Sequence, residues 1–368
     1  MWIVKEGPTR LYRLLASKWS IKSAFRIVLL ASILCMLIVW MTIFVITRKN
    51  FQKINSETMR VDANLESFVA KAVKKAHKYD KPSERNEAFA RIKPYRGYTP
   101  VKVNTMSAVF LNKGKNGSFI MKRTILRDVS QEESIARALK HPNIMETTSS
   151  KMSYGTESST EEGHLFLFSE YLDVRITQSY VGKSEELIKD IMRDILEGLK
   201  YMHALNIAHL DLKIANIMGQ TSEDGEVVYK ILDFGFARNL NNIKGRPDSV
   251  IIEGKSYGTY PYKSPEVVLE NRHGLKSDIW CIGAICYFLA LGKTPFFKKG
   301  GEKQSKQYRE FLKNPEIAMP DGFTQEFEDF IVKCMNKNID DRPSAAELLN
   351  HPFITQEYKY NEFSSTEL

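Results

Sequence analysis

The stretch IAHLDLKIANIM (residues 207–218) places three polar side chains of different chemistry in an otherwise apolar run. Asp211, Lys213 and Asn216 supply a carboxylate, an ammonium group and an amide at spacings of two and three residues. A polar group that is buried without a partner costs free energy, so each of these groups is expected to have a partner or a ligand. The stretch therefore predicts a loop that packs on a core and directs its polar groups to a site.

A second stretch, ILDFGFAR (residues 231–238), adds the carboxylate of Asp233. Phosphoryl transfer from ATP needs a carboxylate to orient the attacking hydroxyl, a cation on the phosphates and oxygen ligands for Mg²⁺. Asp211 and Lys213 are candidates for the hydroxyl and the transferred phosphate, and Asn216 and Asp233 for the metal, since Mg²⁺ prefers hard oxygens. Taken singly, each of these residues could equally be a turn former or a cap.

Taken together, the motifs resemble those of the eukaryotic protein kinase family. The resemblance runs from residue 98 to residue 353, and its motifs stand in the family's order. They resemble, in turn, the catalytic loop, the metal-binding triplet, the end of the activation segment, the helix whose buried Asp holds the catalytic loop, and an ion-pair partner for Glu266. These motifs are HLDLKIAN (209–216), DFG (233–235), SPE (264–266), DIW (278–280) and DDRPSA around Arg342.

The resemblance implies a role for each matching residue. Asp211 and Lys213 would be catalytic, Asn216 and Asp233 would hold Mg²⁺, and Lys122 would hold the α- and β-phosphates of ATP. Five further residues are implied to contact the nucleotide: Val109, Ile120, Glu170, Leu172 and Met218.

Three further positions bear on specificity. Ile120 stands where the family usually has alanine, which predicts a narrower adenine pocket. Thr259, where the family contacts the catalytic Asp and Lys, implies serine/threonine specificity. Ser169 takes the position just before the hinge, the segment 170–172 that in the family binds adenine through its backbone. Because this residue is small, it predicts that the pocket behind the adenine site is open.

The glutamate that pairs with Lys122 has two candidates. Family spacing favours Glu132, only ten residues after Lys122, and this short connection predicts a helix without its first turns. The stretch SQEE (residues 130–133) also reads as a capping box with Glu133, which would place Glu132 in the first turn. A pair with Glu133, or no pair, stays open on the sequence alone.

The loop that covers the phosphates departs furthest from the family pattern G-x-G-x-x-G-x-V. The matching stretch is KVNTMSAV (residues 102–109), with Lys102, Asn104 and Ser107 at the glycine positions. Side chains limit positive φ angles and the close approach of the backbone. Losing two charge-assisted bonds would cost roughly 10² to 10⁴ in affinity or rate, because each contributes about 1.5 to 3 kcal/mol.

Leu210 replaces the arginine that commonly precedes the catalytic Asp in the family. In the family, that arginine pairs with a phosphorylated activation segment. Kinase activity of this chain should therefore depend less on phosphorylation of its activation segment. We expect kinase activity to stay within a few-fold when Ser249, Ser256 and Tyr257 cannot be phosphorylated.

The stretch IVLLASILCMLIVWMTIFVIT (residues 27–47) carries no charged residue. A helix of this length spans about 30 Å, the hydrocarbon thickness of a bilayer, which predicts a single transmembrane helix. A cleaved signal peptide fits less well, because the run is too long and lacks a small-residue cleavage pattern. Basic residues are balanced on its two sides, so the positive-inside rule does not orient it.

The charge and the cysteines of the chain indicate which partners and which cellular compartment to expect. The net charge of +9 reflects basic residues that concentrate in the first hundred positions, where they form no patch with interleaved aromatic residues; this favours a membrane surface and argues against nucleic acid as a partner. The four cysteines have no paired or metal-like spacing and predict free thiols in a reducing compartment. A tail of 26 residues before the span is too short for a folded ectodomain, which argues against a ligand-binding receptor.

The domain organisation predicted from these patterns has six parts: a basic tail (1–26), the transmembrane helix (27–47), a linker with an amphipathic helix (48–97), a small β-rich lobe (98–172), a large helical lobe (173–356) and a C-terminal tail (357–368). Val61, Leu65, Phe68, Ala72 and Val73 define the amphipathic helix, which could lie on the membrane or pack on the main domain. The fold class is thus α+β, the two-lobed protein-kinase fold preceded by a transmembrane helix.

The predicted function is that of a membrane-anchored serine/threonine protein kinase, with ATP and Mg²⁺ as cofactors, a protein as substrate and the kinase domain in the cytosol. The alternative is a catalytically weak pseudokinase that acts as a membrane-tethered scaffold or allosteric regulator. The glycine-free loop supports the alternative, whereas the presence of Lys122, Asp211, Asn216 and Asp233 argues against it.

Overall fold

The structure is a computed structural model that describes most of the chain from residue 63 onwards. Its described residues are 63–114, 117–125, 130–153, 163–241, 243, 247–248, 250–251, 257–296, 303–317, 319 and 322–356. The predicted transmembrane helix (27–47) and the two predicted tails (1–26 and 357–368) lie outside them. Within the described part of the chain, we find no helix with the length and hydropathy needed to cross a membrane.

A five-stranded antiparallel sheet forms the first part of the main domain. Its strands are β1 (Tyr98–Val103), β2 (Ser107–Gly114), β3 (Gly117–Ile125), β4 (Thr147–Ser153) and β5 (His164–Glu170), in the order β1-β2-β3-β5-β4. Strands β2 and β3 form a hairpin and pair from Ser107 opposite Thr124 to Gly114 opposite Gly117. Alternate β2 residues are buried, as a strand period of two requires.

Two helices, α1 (Ala63–Ala76) and α2 (Pro82–Ala90), pack against this sheet. Phe68 of α1 stacks on Tyr95 at a centroid distance of 5.2 Å and also contacts Phe110 of β2. The amphipathic helix predicted near residue 65 therefore buries its apolar face in the main domain, the second of the two interpretations. The sheet's packing partners begin at Ala63, inside the stretch predicted as linker. Three lysines of the other face of α1, Lys71, Lys74 and Lys75, are exposed, as is Lys78 just after the helix.

Helix α3 (Ser130–Ala138) follows β3 and contacts β4. Glu132 lies in its first turn, as the sequence predicts. The same helix also contacts the short 3₁₀ turn Phe234–Phe236, which belongs to the second polar stretch. It thus brings Glu132 to the side of the molecule where Asp233 lies.

The second part of the domain is helical. Its helices are α4 (Glu185–Ala204), α5 (Pro265–Glu270), α6 (Leu275–Leu291), α7 (Lys303–Lys313), α8 (Gln325–Cys334), α9 (Ala345–Leu348) and α10 (Pro352–Thr355). Helix α4 begins with the Ser184 hydroxyl accepting a hydrogen bond from the Leu187 amide, an N-cap. Helix α6 is buried on nearly every face, in agreement with the apolar run that fills it from residue 279 to residue 291.

Short strands fix the two polar stretches on this helical part. They are β6 (Val174–Arg175), β7 (Ile207–Ala208), β8 (Ile217–Thr221), β9 (Val227–Ile231), β10 (Arg238–Asn239), β11 (Val250–Ile251) and β12 (Arg272–His273). Strand β7 leads into the loop of Asp211, β8 leaves it after Asn216, and β9 pairs with β8 and leads to Asp233. The predicted α+β fold, with a small β-rich part and a larger helical part, is confirmed for the described residues.

Candidate active site

The carboxylate of Asp278, a fully buried residue of α6, accepts hydrogen bonds from the main chain of the loop that carries Asp211. Oδ2 of Asp278 accepts a hydrogen bond of 2.8 Å from the His209 amide, and its Oδ1 accepts one of 2.8 Å from the Leu210 amide. A ring nitrogen of His203 lies 3.0 Å from Oδ2. These partners satisfy a charge that would otherwise be costly to bury. They also stabilise Leu210 in the left-handed region, at φ 63°.

Asp211, Lys213 and Thr259 form a triangle of hydrogen bonds. The ammonium group of Lys213 donates to Oδ2 of Asp211 at 2.6 Å and to the hydroxyl of Thr259 at 2.8 Å. That hydroxyl donates in turn to Oδ1 of Asp211 at 2.6 Å. Both carboxylate oxygens of Asp211 are therefore fixed in direction, with a cation beside them. This arrangement suits a carboxylate that accepts from an incoming hydroxyl next to a cation on a phosphate.

Asn216 is tied to the same loop. Its side-chain nitrogen donates a hydrogen bond of 2.9 Å to the main-chain oxygen of Asp211. Because the nitrogen is used in this way, the side-chain oxygen is the atom of Asn216 suited to a cation. The 3₁₀ turn Ile214–Asn216 sets this orientation before β8 begins.

Asp233 takes a left-handed conformation, with φ 66° and ψ 82°, at the start of the turn Phe234–Phe236. Phe234 is buried, and its ring packs edge-on against the ring of His209 at a centroid distance of 5.7 Å. This contact joins the two polar stretches directly. The side chain of Asp233 stays about half exposed, at 47 %.

Lys122 of β3 bridges the two parts of the domain. Its ammonium group lies 2.6 Å from Oε1 of Glu132 and 2.7 Å from Oδ1 of Asp233. Burial alone would lower the pKa of Lys122, but the carboxylates of Asp233 and Glu132 outweigh it and raise that pKa above its usual value. Lys122 in turn holds the pKa of Asp233 well below its usual range. Both groups are therefore charged at neutral pH, as phosphate and metal binding require.

The question of which glutamate pairs with Lys122 is settled by the geometry. Glu132 is almost fully buried and contacts Lys122. Glu133 instead accepts a hydrogen bond from the hydroxyl of Ser150 and lies 3.7 Å from Arg137 on its own helix. The pair Lys122–Glu132 that family spacing favours is thus the one that forms.

Several predicted nucleotide contacts share a face of the sheet with Lys122. Val109 stands opposite Lys122 across β2 and β3, and Ile120 stands opposite Ser169 across β3 and β5. Residues opposite each other in an antiparallel pair point to the same face. Val109, Ile120 and Ser169 therefore lie on the face that presents Lys122.

The remaining predicted contacts lie where β5 ends and where β8 begins. Leu172 is buried just after β5, and Met218 is half-buried in β8. The side chain of Glu170 accepts hydrogen bonds from the Glu146 amide at 2.7 Å and from Lys230 at 2.8 Å. The amide of Glu170 is also used internally, since it donates to the main-chain oxygen of Glu146 at 3.0 Å, so Glu170 offers a ligand at most its main-chain oxygen.

The residues present fit a magnesium ion that is shared with phosphates. In the described part of the chain, no group of three or more His, Cys, Asp or Glu side chains is placed to hold a metal ion. Mg²⁺ is commonly bound through one or two carboxylates together with phosphate oxygens and water, which matches the oxygens of Asp233 and Asn216.

Leu210 joins the site to the segment that follows Asp233. It packs with Ala208, Leu240, Val250 and Tyr257 in a small apolar cluster. Arg238 donates a hydrogen bond of 3.2 Å to the Tyr257 hydroxyl, and its guanidinium lies 4.6 Å from the centre of that ring. In the described residues, therefore, apolar and cation–π contacts bind this segment to the loop. Ser249 and Ser256 lie outside the described residues.

Glu266 and Arg342 form the predicted ion pair. Two hydrogen bonds of 2.9 and 3.0 Å join the guanidinium to the carboxylate, and both side chains are buried. The Ser277 hydroxyl also donates to Glu266. A bidentate pair of this kind fixes direction as well as distance, so it anchors α5 to the helical part.

Sequence reasoning missed the role of Asn104 in the turn between β1 and β2. Its side-chain oxygen accepts hydrogen bonds from the amides of Met106 at 2.8 Å and Ser107 at 2.6 Å. His77, just after α1, contacts the main-chain oxygen of the same residue at 2.9 Å. An asparagine two and three residues before those amides is the pattern of a side-chain-capped turn, and this signal could have been found.

Comparison with known proteins agrees with this geometry. Residues 104–354 match the family model described as protein kinase domain. The chain is 33% identical over 248 residues to mitogen-activated protein kinase kinase 2 of Arabidopsis thaliana, covering 64% of this chain and 63% of that protein. It is 31% identical over 236 residues to mitogen-activated protein kinase kinase kinase A of Dictyostelium discoideum, covering 63% of this chain and 23% of that protein.

A third relative is serine/threonine-protein kinase 4 homolog A of Dictyostelium discoideum, 34% identical over 174 residues, or 47% of this chain and 36% of that protein. The chain thus spans less than two thirds of the length of these relatives.

Proposed function

The chain belongs to the protein kinase family, and on that premise we propose that it is a serine/threonine protein kinase that transfers the γ-phosphate of Mg-ATP to protein hydroxyls. ATP and Mg²⁺ are the cofactors that this family uses in general. The observation that carries the proposal is the closed triangle of Asp211, Lys213 and Thr259, which fixes a carboxylate beside a cation.

Each residue of the site has a definite task in this proposal. Bound Mg-ATP supplies the transferable phosphoryl group and a cation that offsets its charge. Asp211 accepts the hydrogen bond of the attacking hydroxyl and orients it, while Lys213 places its positive charge by the transferred group. Asn216 and Asp233 offer oxygens to the metal, and Lys122, fixed by Glu132, holds the phosphates that stay behind.

Specificity for serine and threonine is part of the proposal. Thr259 belongs to the segment GTYPYKSPE, which resembles the corresponding segment of serine/threonine kinases, and it contacts both Asp211 and Lys213. One of the relatives described above is named a serine/threonine-protein kinase.

The test uses the purified full-length protein in detergent with γ-labelled ATP, Mg²⁺ and a generic basic protein. Acid hydrolysis of the labelled protein then identifies the modified residue type. We expect phosphoserine and phosphothreonine. Label only on tyrosine would contradict the proposed specificity, and no label would contradict the proposed activity.

The pseudokinase alternative rests on the glycine-free loop alone. Against it, Lys122, Glu132 and Asp233 are joined by contacts of 2.6 and 2.7 Å, and the Asp211 triangle is complete. A scaffold would need neither set of contacts. The kinase proposal therefore accounts for more of the geometry.

Membrane anchoring through residues 27–47, with the kinase domain in the cytosol, is a further part of the proposal. Its support is the uncharged run of 21 residues and the reducing environment that buried free thiols at Cys281, Cys286 and Cys334 favour. The test is alkaline carbonate extraction of membranes from expressing cells. We expect the full chain to stay in the pellet and a variant lacking residues 27–47 to be released. Release of both would contradict the anchor.

A further inference from the structure

The turn between β1 and β2 is closed by one of its own side chains. The amide of Asn104 donates to the main-chain oxygen of Ser107 at 2.9 Å. In the opposite direction, the side-chain oxygen of Asn104 accepts from the amides of Met106 at 2.8 Å and Ser107 at 2.6 Å, and from the Ser107 hydroxyl at 3.2 Å. A single carboxamide oxygen thus takes up two successive backbone donors.

Contacts from outside the turn fix this arrangement. A ring nitrogen of His77 donates to the main-chain oxygen of Asn104 at 2.9 Å. Asn86 of α2 accepts a hydrogen bond of 2.9 Å from the Val103 amide, and the Ile125 amide of β3 donates to the main-chain oxygen of Met106 at 3.1 Å. The turn is therefore held between the two N-terminal helices and the sheet.

The same turn stands where a phosphate-covering loop is expected. It leads within two residues into Val109, which pairs with Lys122 across β2 and β3. Successive backbone N–H groups in a turn form an anion-binding concavity, and in protein kinases the loop at this place covers the phosphates. The donors that phosphate oxygens would need here include the amides of Met106 and Ser107.

We propose that Asn104 is a specificity-determining residue that occupies these two amides in place of phosphate oxygens, so that Asn104 weakens the binding of phosphorylated nucleotides. The inference rests on the proposed function, because it requires that nucleotide binds under this turn. A phosphate oxygen is charged and forms a stronger bond than a neutral carboxamide, so nucleotide displaces Asn104, but at a cost in affinity.

The test measures equilibrium dissociation constants of the full-length protein in detergent for Mg-ATP, Mg-ADP and adenosine. Asn104→Ala removes the internal acceptor, and we expect it to bind Mg-ATP and Mg-ADP about tenfold more tightly, the effect of freeing two neutral hydrogen bonds. Adenosine, which has no phosphate, should bind with unchanged affinity. Asn314→Ala, at an exposed position just after α7, is the matched control and should change nothing.

A second variant should change the affinity for Mg-ATP in the opposite direction. Asn104→Asp keeps an acceptor for the two amides and adds a negative charge, so we expect it to bind Mg-ATP about tenfold more weakly. Unchanged or weaker Mg-ATP binding by Asn104→Ala, an equal gain for adenosine, or absence of binding in both proteins would overturn the inference.

These measurements do not depend on phosphoryl transfer. If the wild-type protein binds Mg-ATP but transfers no phosphate, while Asn104→Ala binds more tightly, the proposed function fails and the inference about Asn104 stands. If phosphate is transferred but the affinities of the two proteins are equal, the inference fails and the proposed function stands.

Discussion

Thr259 donates a hydrogen bond of 2.6 Å from its hydroxyl to Oδ1 of Asp211. The same hydroxyl accepts a hydrogen bond from Lys213. One oxygen atom therefore connects the segment before α5 with both Asp211 and Lys213, the proposed catalytic residues. Activity should therefore depend on this hydroxyl even though Thr259 itself transfers no proton.

Replacing Thr259 with valine removes the hydroxyl and keeps the shape. We expect kcat to fall about 10- to 100-fold, because the Asp211 carboxylate loses one of the bonds that orient it. The KM for ATP should stay within a few-fold, since Lys122 and Asp233 are untouched. Thr259→Ser, which keeps the hydroxyl, is the matched control and should retain most of the rate. Equal rates for the valine and wild-type proteins would contradict the role of Thr259.

The buried ion pair between Arg342 and Glu266 predicts a large effect on stability. Replacing Arg342 with methionine leaves the buried carboxylate of Glu266 without its cation, so we expect the free energy of unfolding to fall by about 3 to 5 kcal/mol. The exposed pair between Arg272 and Glu270 is the matched control, and Arg272→Met should cost less than about 1 kcal/mol.

Urea denaturation of the three proteins at one pH measures both effects. A loss of stability in Arg342→Met no larger than in Arg272→Met would show that the buried pair does not anchor α5.

His273 predicts a pH dependence of stability. Burial, with a smaller contribution from Lys263, lowers the pKa of His273 to about 4. The unfolded chain, with a pKa of about 6.5, therefore binds more protons than the folded chain between these two values. Stability falls as the pH falls through this window, by up to about 3 kcal/mol. His273→Gln should lose less stability than the wild-type protein between about pH 6.5 and 4.5.

Urea midpoints at several pH values measure this difference between the two proteins. Parallel pH profiles would contradict a neutral, buried His273 in the folded state.

The apolar cluster around Leu210 predicts that activity does not depend on phosphorylation of the activation segment. We expect Ser249→Ala, Ser256→Ala and Tyr257→Phe, alone or combined, to keep kinase activity within a few-fold. In Tyr257→Phe the ring stays against Arg238, and only the hydrogen bond of 3.2 Å is lost. Initial rates on a generic basic protein measure the effect. A collapse of activity in the combined variant would show that phosphorylation holds this segment after all.

Much of the fold was predictable because local patterns coincide with the final packing. The hairpin of β2 and β3 follows from two apolar runs that flank the turn-forming pair Asn116-Gly117, and most of α6 follows from the apolar run at residues 279–291. The pairing of Lys122 with Glu132 rather than Glu133 followed from spacing relative to later motifs, and the structure explains it, since Ser150 binds Glu133.

Other features depend on contacts between segments far apart in the sequence. The amphipathic pattern of α1 is compatible with a membrane surface and with a protein core, and only the position of Tyr95 and Phe110 distinguishes the two. The contact of His77 with Asn104 joins residues 27 positions apart and has no local signal. The predicted transmembrane helix lies outside the described residues and stays a prediction.

The central claim is that Asp211 orients a protein hydroxyl for phosphoryl transfer, and its most direct test compares wild-type protein with Asp211→Asn and Asp190→Asn. Asp190 is an exposed aspartate of α4 that pairs with Arg193, so it serves as the matched control. The measurement is the initial rate of γ-labelled phosphate incorporation into a generic basic protein with saturating Mg-ATP. We predict that Asp211→Asn lowers this rate about 10²- to 10⁴-fold and that Asp190→Asn leaves it within about twofold. Equal rates in all three proteins, whether at background or above it, would contradict the account.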